Sequence, residues 1–329
     1  MLTRSIAAVL AALAVGVAGA SPAVAGDRPW LKLAGTVGTV NDSAGVRLES
    51  YSVVWDGAQA HRAYLRKGDK FVRTEYRDTL VAPGRRWVAA VPDVRLWIPA
   101  KKIDLIDRRT GRAHTVEMPA PVSSPEWSAD GRTLLFTAFE RHRENEHTVI
   151  GFVTLNPDDR VPRLVEAGPR RRVSDWAVGH DHRFFFAGPG RMMARHDDRG
   201  KIGVYGMDGR RQRFYQGVGR FDERAAVSVV SPSGRLFATF LGEDAVGRGP
   251  IGIVDTRTGK IVHRLAKGAR AFAGWYDDRH VIVKRARGRT QTFQRVAISG
   301  GATLDLVKEK LVVGVAEHEP HIERVGFVR

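Results

Sequence analysis

The sequence predicts an all-β fold, a β-propeller built from four-stranded antiparallel blades, because two sets of turns recur along the chain at regular spacing. The first set lies near Gly84, Gly131, His182, Gly234 and Asp278, so successive repeats are 47, 51, 52 and 44 residues apart. A second turn follows each first turn after 22 to 28 residues. Two hairpins in a repeat of this length give four strands, which is one propeller blade.

The residue types at these positions support the prediction. Asp130-Gly131 and Ser233-Gly234 each separate two apolar runs, and such pairs are typical of tight hairpins because glycine tolerates the positive φ that these turns need. The second turns lie at Gly111, Asp159, Gly209, Gly259 and Gly300. No segment shows a sustained helical period with caps, so an α/β fold is not expected.

The turns predict five blades at residues 80–118, 122–168, 173–218, 224–268 and 270–308. Strand-like runs remain at both ends of the chain, and a ring leaves open edges unless its ends pair. We therefore expect a sixth blade that combines residues 46–77 with residues 310–329. If residues 30–77 form a blade of their own, the count becomes seven. The propeller domain would span residues 46–329 after an extension at 26–45.

The first 25 residues have the pattern of a secretory signal peptide. Arg4 precedes an apolar run from Ile6 to Ala20, and the small residues Ala23 and Ala25 mark a cleavage site after Ala25. An uncleaved N-terminal anchor is the alternative. No other stretch approaches the roughly 20 apolar residues of a membrane helix. We expect a secreted protein with no transmembrane segment after signal removal, held by its core alone because the chain has no cysteine.

The chain is strongly basic, with a formal net charge of +17 and 42 Arg against 11 Lys. This charge favours a polyanionic partner such as a cell-wall component, or an acidic protein. The alternative is that arginine is simply the preferred solvated residue of this composition. No helix-turn-helix, zinc-finger or RNA-binding motif occurs, so specific nucleic-acid recognition is not expected. We expect a monomer.

Residues Ser124 to Phe136 resemble the repeats of TolB-type propellers, also called WD-repeat-like, whose consensus is S-P-x-W-S-x-D-G-R-x-L-x-F. Residues Ser231 to Phe237 are similar to the second half of this consensus, and the other repeats match in outline. The resemblance covers about residues 80–310 and implies the propeller fold. It implies no single activity, because such propellers include envelope-complex scaffolds and the substrate-gating domains of oligopeptidases.

The inner strands of a propeller line its central channel, where ligands commonly bind. Two repeats place an acid before a tryptophan there, Glu126-Trp127 and Asp175-Trp176, and a third repeat has Trp275. These residues are candidates for holding a cation or polar ligand. The alternative is that the tryptophans pack between blades and the acids pair with turn arginines. The two acids are too few for a hard cation, which commonly takes 6 to 8 oxygens, so we expect no bound metal. We expect no cofactor either.

Two inserts, at residues 139–148 and 188–201, are predicted to project as loops from one face of the disc. Arg141 and Arg143 in the first, and Arg191, Met192 and Met193 in the second, are candidate recognition residues. Solvated surface is the alternative. His180-Asp181-His182 is interpreted as a turn and not as a metal site.

The sequence favours a non-enzymatic, exported binding or scaffold protein. It contains no G-x-S-x-G nucleophile elbow, and without cysteine it has no thiol chemistry. The alternative is a channel-centred hydrolase or lactonase that uses inner-strand carboxylates and a metal.

Overall fold

The computed structural model describes residues 30–55, 60–92, 99–143, 146–174, 183–195, 200–221, 228–242, 249–265, 271–311 and 320–328. Strands and turns make up these residues, and no helix occurs among them. The first twelve strands are β1 (Leu31–Leu33), β2 (Gly38–Val40), β3 (Arg47–Trp55), β4 (Ala60–Lys67), β5 (Lys70–Arg73), β6 (Asp78–Val81), β7 (Trp87–Val91), β8 (Ala100–Asp107), β9 (Arg112–Trp127), β10 (Leu134–Arg143), β11 (Glu146–Leu155) and β12 (Pro162–Ser174). The other twelve are β13 (Phe184–Phe186), β14 (Arg191–Arg195), β15 (Ile202–Gly206), β16 (Arg211–Tyr215), β17 (Leu236–Phe240), β18 (Ile251–Asp255), β19 (Ile261–Arg264), β20 (Ala271–Asp277), β21 (His280–Arg287), β22 (Thr290–Ala297), β23 (Thr303–Lys310) and β24 (Pro320–Val328).

These strands form five antiparallel sheets that contain six blades within the described residues. The seven-stranded sheet holds two blades because β9 changes partner along its length. Its first part, to Glu117, pairs with β8, and its last part, from Val122 to Trp127, pairs with β10. The predicted all-β propeller is confirmed.

The blades follow one another along the chain, except that the last uses both ends of it. Blade 1 contains β6, β7, β8 and the first part of β9, blade 2 the last part of β9 with β10 to β12, and blade 3 β13 to β16. Blade 4 contains β17 to β19 and the bridged pair Val230 and Phe237, and blade 5 contains β20 to β23. Blade 6 has the order β24-β3-β4-β5.

Blade 6 closes the ring as the sequence predicts. The C-terminal strand β24 pairs with β3 from Pro320 opposite Trp55 to Val328 opposite Arg47. The segment Leu31–Val40, which we expected to be an extension before the propeller, adds β2 and β1 to the outer edge of blade 5 through the pairing of β2 with β23.

The predicted register of blade 3 is wrong. A first turn at His182, as the sequence predicts, would make Phe184–Phe186 the second strand. In the structure β13 is the first strand, and the hairpin runs through Gly188 and Gly190, whose φ angles are 96° and 66°. Asp181-His182-Arg183 is similar in sequence to Asp130-Gly131-Arg132 of blade 2, and residues 180–182 lie outside the described residues. Gly188-Pro189-Gly190 supplies the backbone conformations that the hairpin between β13 and β14 needs.

The hydrophobic core lies between neighbouring blades. One buried cluster joins residues of blades 1 and 2, another joins blades 2 and 3, a third joins blades 3, 4 and 5, and a fourth joins blades 5 and 6. The fourth strands are the most exposed, as in β16, where only Tyr215 is buried. This gradient places the first strand of each blade near the axis and the fourth at the rim.

A buried polar cluster joins blade 5 to β24. Both carboxylate oxygens of Glu309 accept from the Ile322 amide, at 3.2 and 3.1 Å. Gln291 donates to the Ile322 carbonyl and to Glu309, each at 3.0 Å, and Lys284 donates to the same carbonyl at 3.1 Å. Burial raises the pKa of Glu309 to about 7, although the Ile322 amide and Lys284 oppose the shift.

The Glu309 carboxyl should make folding depend on pH. Because its folded pKa exceeds its value of 4.5 in the unfolded chain, its stabilising contribution is present below about pH 4.5 and is lost as pH rises through 7. The loss is at most roughly 3 kcal/mol. We expect Glu309→Gln to flatten the decline in the free energy of unfolding between pH 5 and 8, measured by urea denaturation. The exposed Glu117→Gln is the matched control and should leave the decline unchanged; equal slopes in all three proteins would contradict the assignment.

Candidate functional site

Two of the predicted channel residues form joints between blades. The Trp127 indole donates to the Leu80 carbonyl of blade 1 at 2.9 Å. The Trp275 indole donates to the Val229 carbonyl of blade 4 at 2.8 Å. Each tryptophan therefore ties the first strand of its blade to the first strand of the preceding one.

Glu126 forms the next joint along the ring. The residue is 3% exposed, and its Oε1 accepts from the Phe186 amide of blade 3 at 3.2 Å. Beside it, the Thr137 hydroxyl accepts from the Phe184 amide at 3.0 Å. Blade 2 thus binds the backbone of β13 through two side chains, which matters because β13 is only three residues long.

Asp175 and Trp176, the other predicted channel pair, lie outside the described residues. The corrected register of blade 3 removes the reason for aligning them with Glu126 and Trp127. The turn bond from the Ala187 amide to the Arg191 carbonyl corresponds to the bond from the Ser128 amide to the Thr133 carbonyl in blade 2. Residues 185 and 186, both phenylalanine, therefore occupy the positions equivalent to Glu126 and Trp127.

Two surfaces of the disc follow from the hairpins. We call one side of the disc the turn face. It carries the second turns of the repeats and the first turns, which lie near residues 82–86, 128–132, 187–191, 231–235 and 277–279. We call the side that carries the β10–β11 and β21–β22 connections the hairpin face. Hydrogen bonds from Arg108 to Arg86 and from Thr256 to Arg235 place first and second turns on the same side.

The second predicted insert, residues 188–201, includes all of β14, which runs from the turn face to the hairpin face, so the candidate recognition residues do not all share a face. Arg141 and Arg143 lie near the end of the β10–β11 hairpin, on the hairpin face. Arg191 begins β14 and lies on the turn face. The prediction that Met192 and Met193 sit in an exposed loop is wrong, because both belong to β14 and are 0% and 1% exposed. They pair with Phe186 and Phe185, and this apolar pairing explains their burial.

The hairpin face carries mixed charge. Arg170 on β12 contacts Glu140 and Glu166, each at 3.1 Å, and all three side chains are exposed. Arg141 and Arg172 are exposed on the same extension, and Arg287 and Arg289 flank the β21–β22 turn. Exposed pairs of this kind contribute little stability.

On the turn face, acidic side chains bind the backbone of the turns. A hydrogen bond from the Ser128 hydroxyl, with another from the Arg132 amide, lowers the pKa of Asp130. Hydrogen bonds from the amide and hydroxyl of Thr258 likewise lower the pKa of Asp255. These carboxylates are charged at neutral pH, yet their oxygens are engaged by the chain itself.

A buried acid that sequence reasoning missed lies where the ring closes. Glu49, 2% exposed on β3, contacts Arg108 at 3.0 Å, Arg47 at 3.4 Å and Arg85 at 3.5 Å. Arg85 and Arg108 belong to the two turns of blade 1, so Glu49 links blade 6 to blade 1. Arg85 has a φ of 59°, at the turn position where Gly131 and Gly234 stand in blades 2 and 4. No local pattern in the sequence could have identified the contacts of Glu49 with Arg85 and Arg108, because these residues are far apart in the chain.

The described residues offer neither a metal-type cluster nor a membrane helix. No group of three or more His, Asp or Glu side chains among them is placed to hold a metal ion. In the same part of the chain, no helix is long and apolar enough to cross a membrane.

These observations define the protein as a β-propeller whose inner polar residues join its blades. Among solved structures, the chain is similar to TolB from Acinetobacter baumannii, with a TM-score of 0.53 and 14% identity over 87% of this chain and 69% of that one. It is also similar to a protein of unknown function from Bacteroides caccae, with a TM-score of 0.51 and 12% identity over 86% of this chain and 100% of that one. No protein-family model and no curated protein matches the sequence. At these identities the likeness shows a TolB-like propeller fold.

The contact of Glu126 predicts a structural cost when its carboxylate is removed. Glu126→Ala leaves the Phe186 amide without its acceptor, so we expect the free energy of unfolding to fall by about 1–3 kcal/mol. Glu126→Gln keeps an oxygen acceptor and should lose less. Urea denaturation of both variants measures this. A Glu126→Ala protein of unchanged stability would contradict the joint and return Glu126 to the candidates for ligand binding.

Proposed function

We propose that the protein is a non-enzymatic binding propeller that recognises its partner through the charged surface of the disc. The observation that carries the proposal is the engagement of the predicted channel residues. Glu126, Trp127 and Trp275 each bond to the backbone of a neighbouring blade. Groups that hold blades together are poorly placed to change partners during catalysis, whereas surface side chains can bind a ligand without disturbing these joints.

The surface charge favours an acidic partner. Arginine dominates the cationic residues of the chain, and its planar guanidinium binds carboxylates and phosphates through paired hydrogen bonds. On the turn face, Asp130 and Asp255 accept from backbone amides, which limits their pairing with nearby arginines. We infer that the partner is an acidic polymer of the cell envelope or an acidic protein surface.

The proposal includes export. Residues 1–25, which have the signal-peptide pattern, lie outside the described residues, and the interpretation rests on their sequence. A basic protein released outside the cell would encounter envelope polymers that carry phosphate or carboxylate groups. We propose that it acts there as a monomer.

Binding to an acidic polymer should depend steeply on salt. We expect the purified protein to bind long-chain polyphosphate at 50 mM NaCl and to lose at least tenfold in affinity by 300 mM, because binding releases counterions from the polymer. Fluorescence anisotropy of end-labelled polymer measures the dissociation constant. An uncharged polymer of similar length, such as dextran, is the control. Absence of binding to polyphosphate at 50 mM, or binding that salt does not weaken, would contradict the proposal.

A further inference from the structure

In each of the six blades one arginine stands at the start of the second strand or within two residues before it. These arginines are Arg47, Arg86, Arg132, Arg191, Arg235 and Arg279. All six lie on the turn face, and we call them the arginine ring. The recurrence is structural, since their spacing in the sequence varies while each lies at the turn that leads into the second strand.

The hydrogen bonds of the turns and the strand starts define these positions. In blades 1, 2 and 4 the amides of Ala82, Ser128 and Ser231 donate to the carbonyl five residues later, and the arginine is the fourth residue after each. In blade 3 the turn is one residue shorter: the amide of Ala187 donates to the Arg191 carbonyl, so Arg191 stands at the acceptor position, one place beyond that of Arg86, Arg132 and Arg235. Arg279 immediately precedes His280, the first residue of β21, and Arg47 is the first residue of β3.

Five members of the ring are exposed, namely Arg86, which forms ion pairs, and Arg132, Arg191, Arg235 and Arg279. In three of the last four, a side chain of the turn accepts from the backbone amide of the arginine. The amides of Arg132 and Arg279 donate to Asp130 and Asp277, at 3.1 and 2.7 Å, and the Arg235 amide donates to the Ser233 hydroxyl at 3.3 Å. Asp130, Asp277 and Ser233 could accept from these guanidinium groups, but they bind backbone amides and so stabilise the turns.

Arg47 and Arg86 have structural roles. Arg47 contacts the buried Glu49, and Arg86 contacts Asp107 and Asp158, each at 3.3 Å. The second turns add further exposed cations toward the rim, namely Arg109, Arg160, Arg210 and Arg257. The turn face therefore carries positive charge near the axis and again farther out.

The surroundings of the ring favour a linear polyanion over a folded protein. Protein interfaces usually centre on buried aromatic or apolar anchors. The large apolar residues exposed in the described chain are Trp30, Val37, Val72, Val161, Met207, Phe214 and Val262, and none belongs to a first turn. Cations spread around an axis, without an apolar centre, suit a flexible chain that carries many negative groups.

We propose that the arginine ring is the binding site for a linear polymer that bears phosphate groups, lying across the turn face. This inference rests on the proposed binding function and adds the face, the residues and the chemistry of the ligand. Arg132, Arg191, Arg235 and Arg279 contact the polymer, while Arg47 and Arg86 keep their ion pairs with Glu49, Asp107 and Asp158.

The test compares two variants that lose the same charge from opposite faces. The ring variant is R132S/R191S/R235S/R279S, and the control is R141S/R172S/R287S/R289S on the hairpin face. Circular dichroism and thermal denaturation establish that both fold, as expected for surface substitutions. Fluorescence anisotropy with end-labelled polyphosphate then measures affinity from 50 to 300 mM NaCl, with polyglutamate as a second polymer that carries carboxylates instead of phosphates.

We expect the ring variant to bind polyphosphate at least tenfold more weakly than the wild type, and the control to stay within threefold. The slope of log affinity against log salt is negative, and it should become shallower by about 0.7 for each phosphate that an arginine no longer neutralises. Equal losses in both variants, or a loss in the control alone, would overturn the ring while leaving the proposed function in place. Tighter wild-type binding to polyglutamate than to polyphosphate would overturn the assignment of phosphate. No binding of the wild type to either polymer would instead contradict the proposed function itself.

Discussion

The docking of the C-terminal strand β24 into blade 6, against blade 5, is the contact on which the fold depends. Without cysteine, nothing covalent holds the two ends of the chain together. β24 supplies the first strand of blade 6 by pairing with β3, while Glu309, Gln291 and Lys284 of blade 5 bind the backbone of Ile322. Glu49 then joins blade 6 to the turns of blade 1. One strand and two buried acids therefore close the ring.

The same need to join blades explains why the surface is the proposed recognition site. Neighbouring blades share apolar contacts, but the amides and carbonyls of their first strands still need partners in a buried setting. Trp127, Trp275 and Glu126 supply these partners. The arginines on the turns are exposed and can meet a ligand without loosening a joint. Structural and binding roles are thus divided between the interior and the faces of the disc.

The sequence was sufficient for the architecture because turn chemistry is local. Asp130-Gly131 and Ser233-Gly234 form the turns of hairpins, and the spacing of these and the other turns reveals the blade. In blade 3 the sequence placed the first turn at His182, which lies outside the described residues, whereas the hairpin between β13 and β14 runs through Gly188-Pro189-Gly190. Glu309 and Glu49 could not be predicted, because their partners lie elsewhere in the chain. The arginine ring was visible only as arginines after turns until the strands placed them on one face.

The most direct measurement of ring closure is a disulfide between β24 and β3. A Cβ built on Gly326 would lie 3.7 Å from the Ser50 Cβ, close to the mean of about 3.8 Å in disulfides. In the double variant S50C/G326C, which has no other thiols, closure predicts that mild oxidation of the folded monomer consumes both thiols in one intramolecular bond. Each single variant should keep its thiol. Thiols that remain in the double variant, or bonds that form only between molecules, would contradict a ring closed by its two ends.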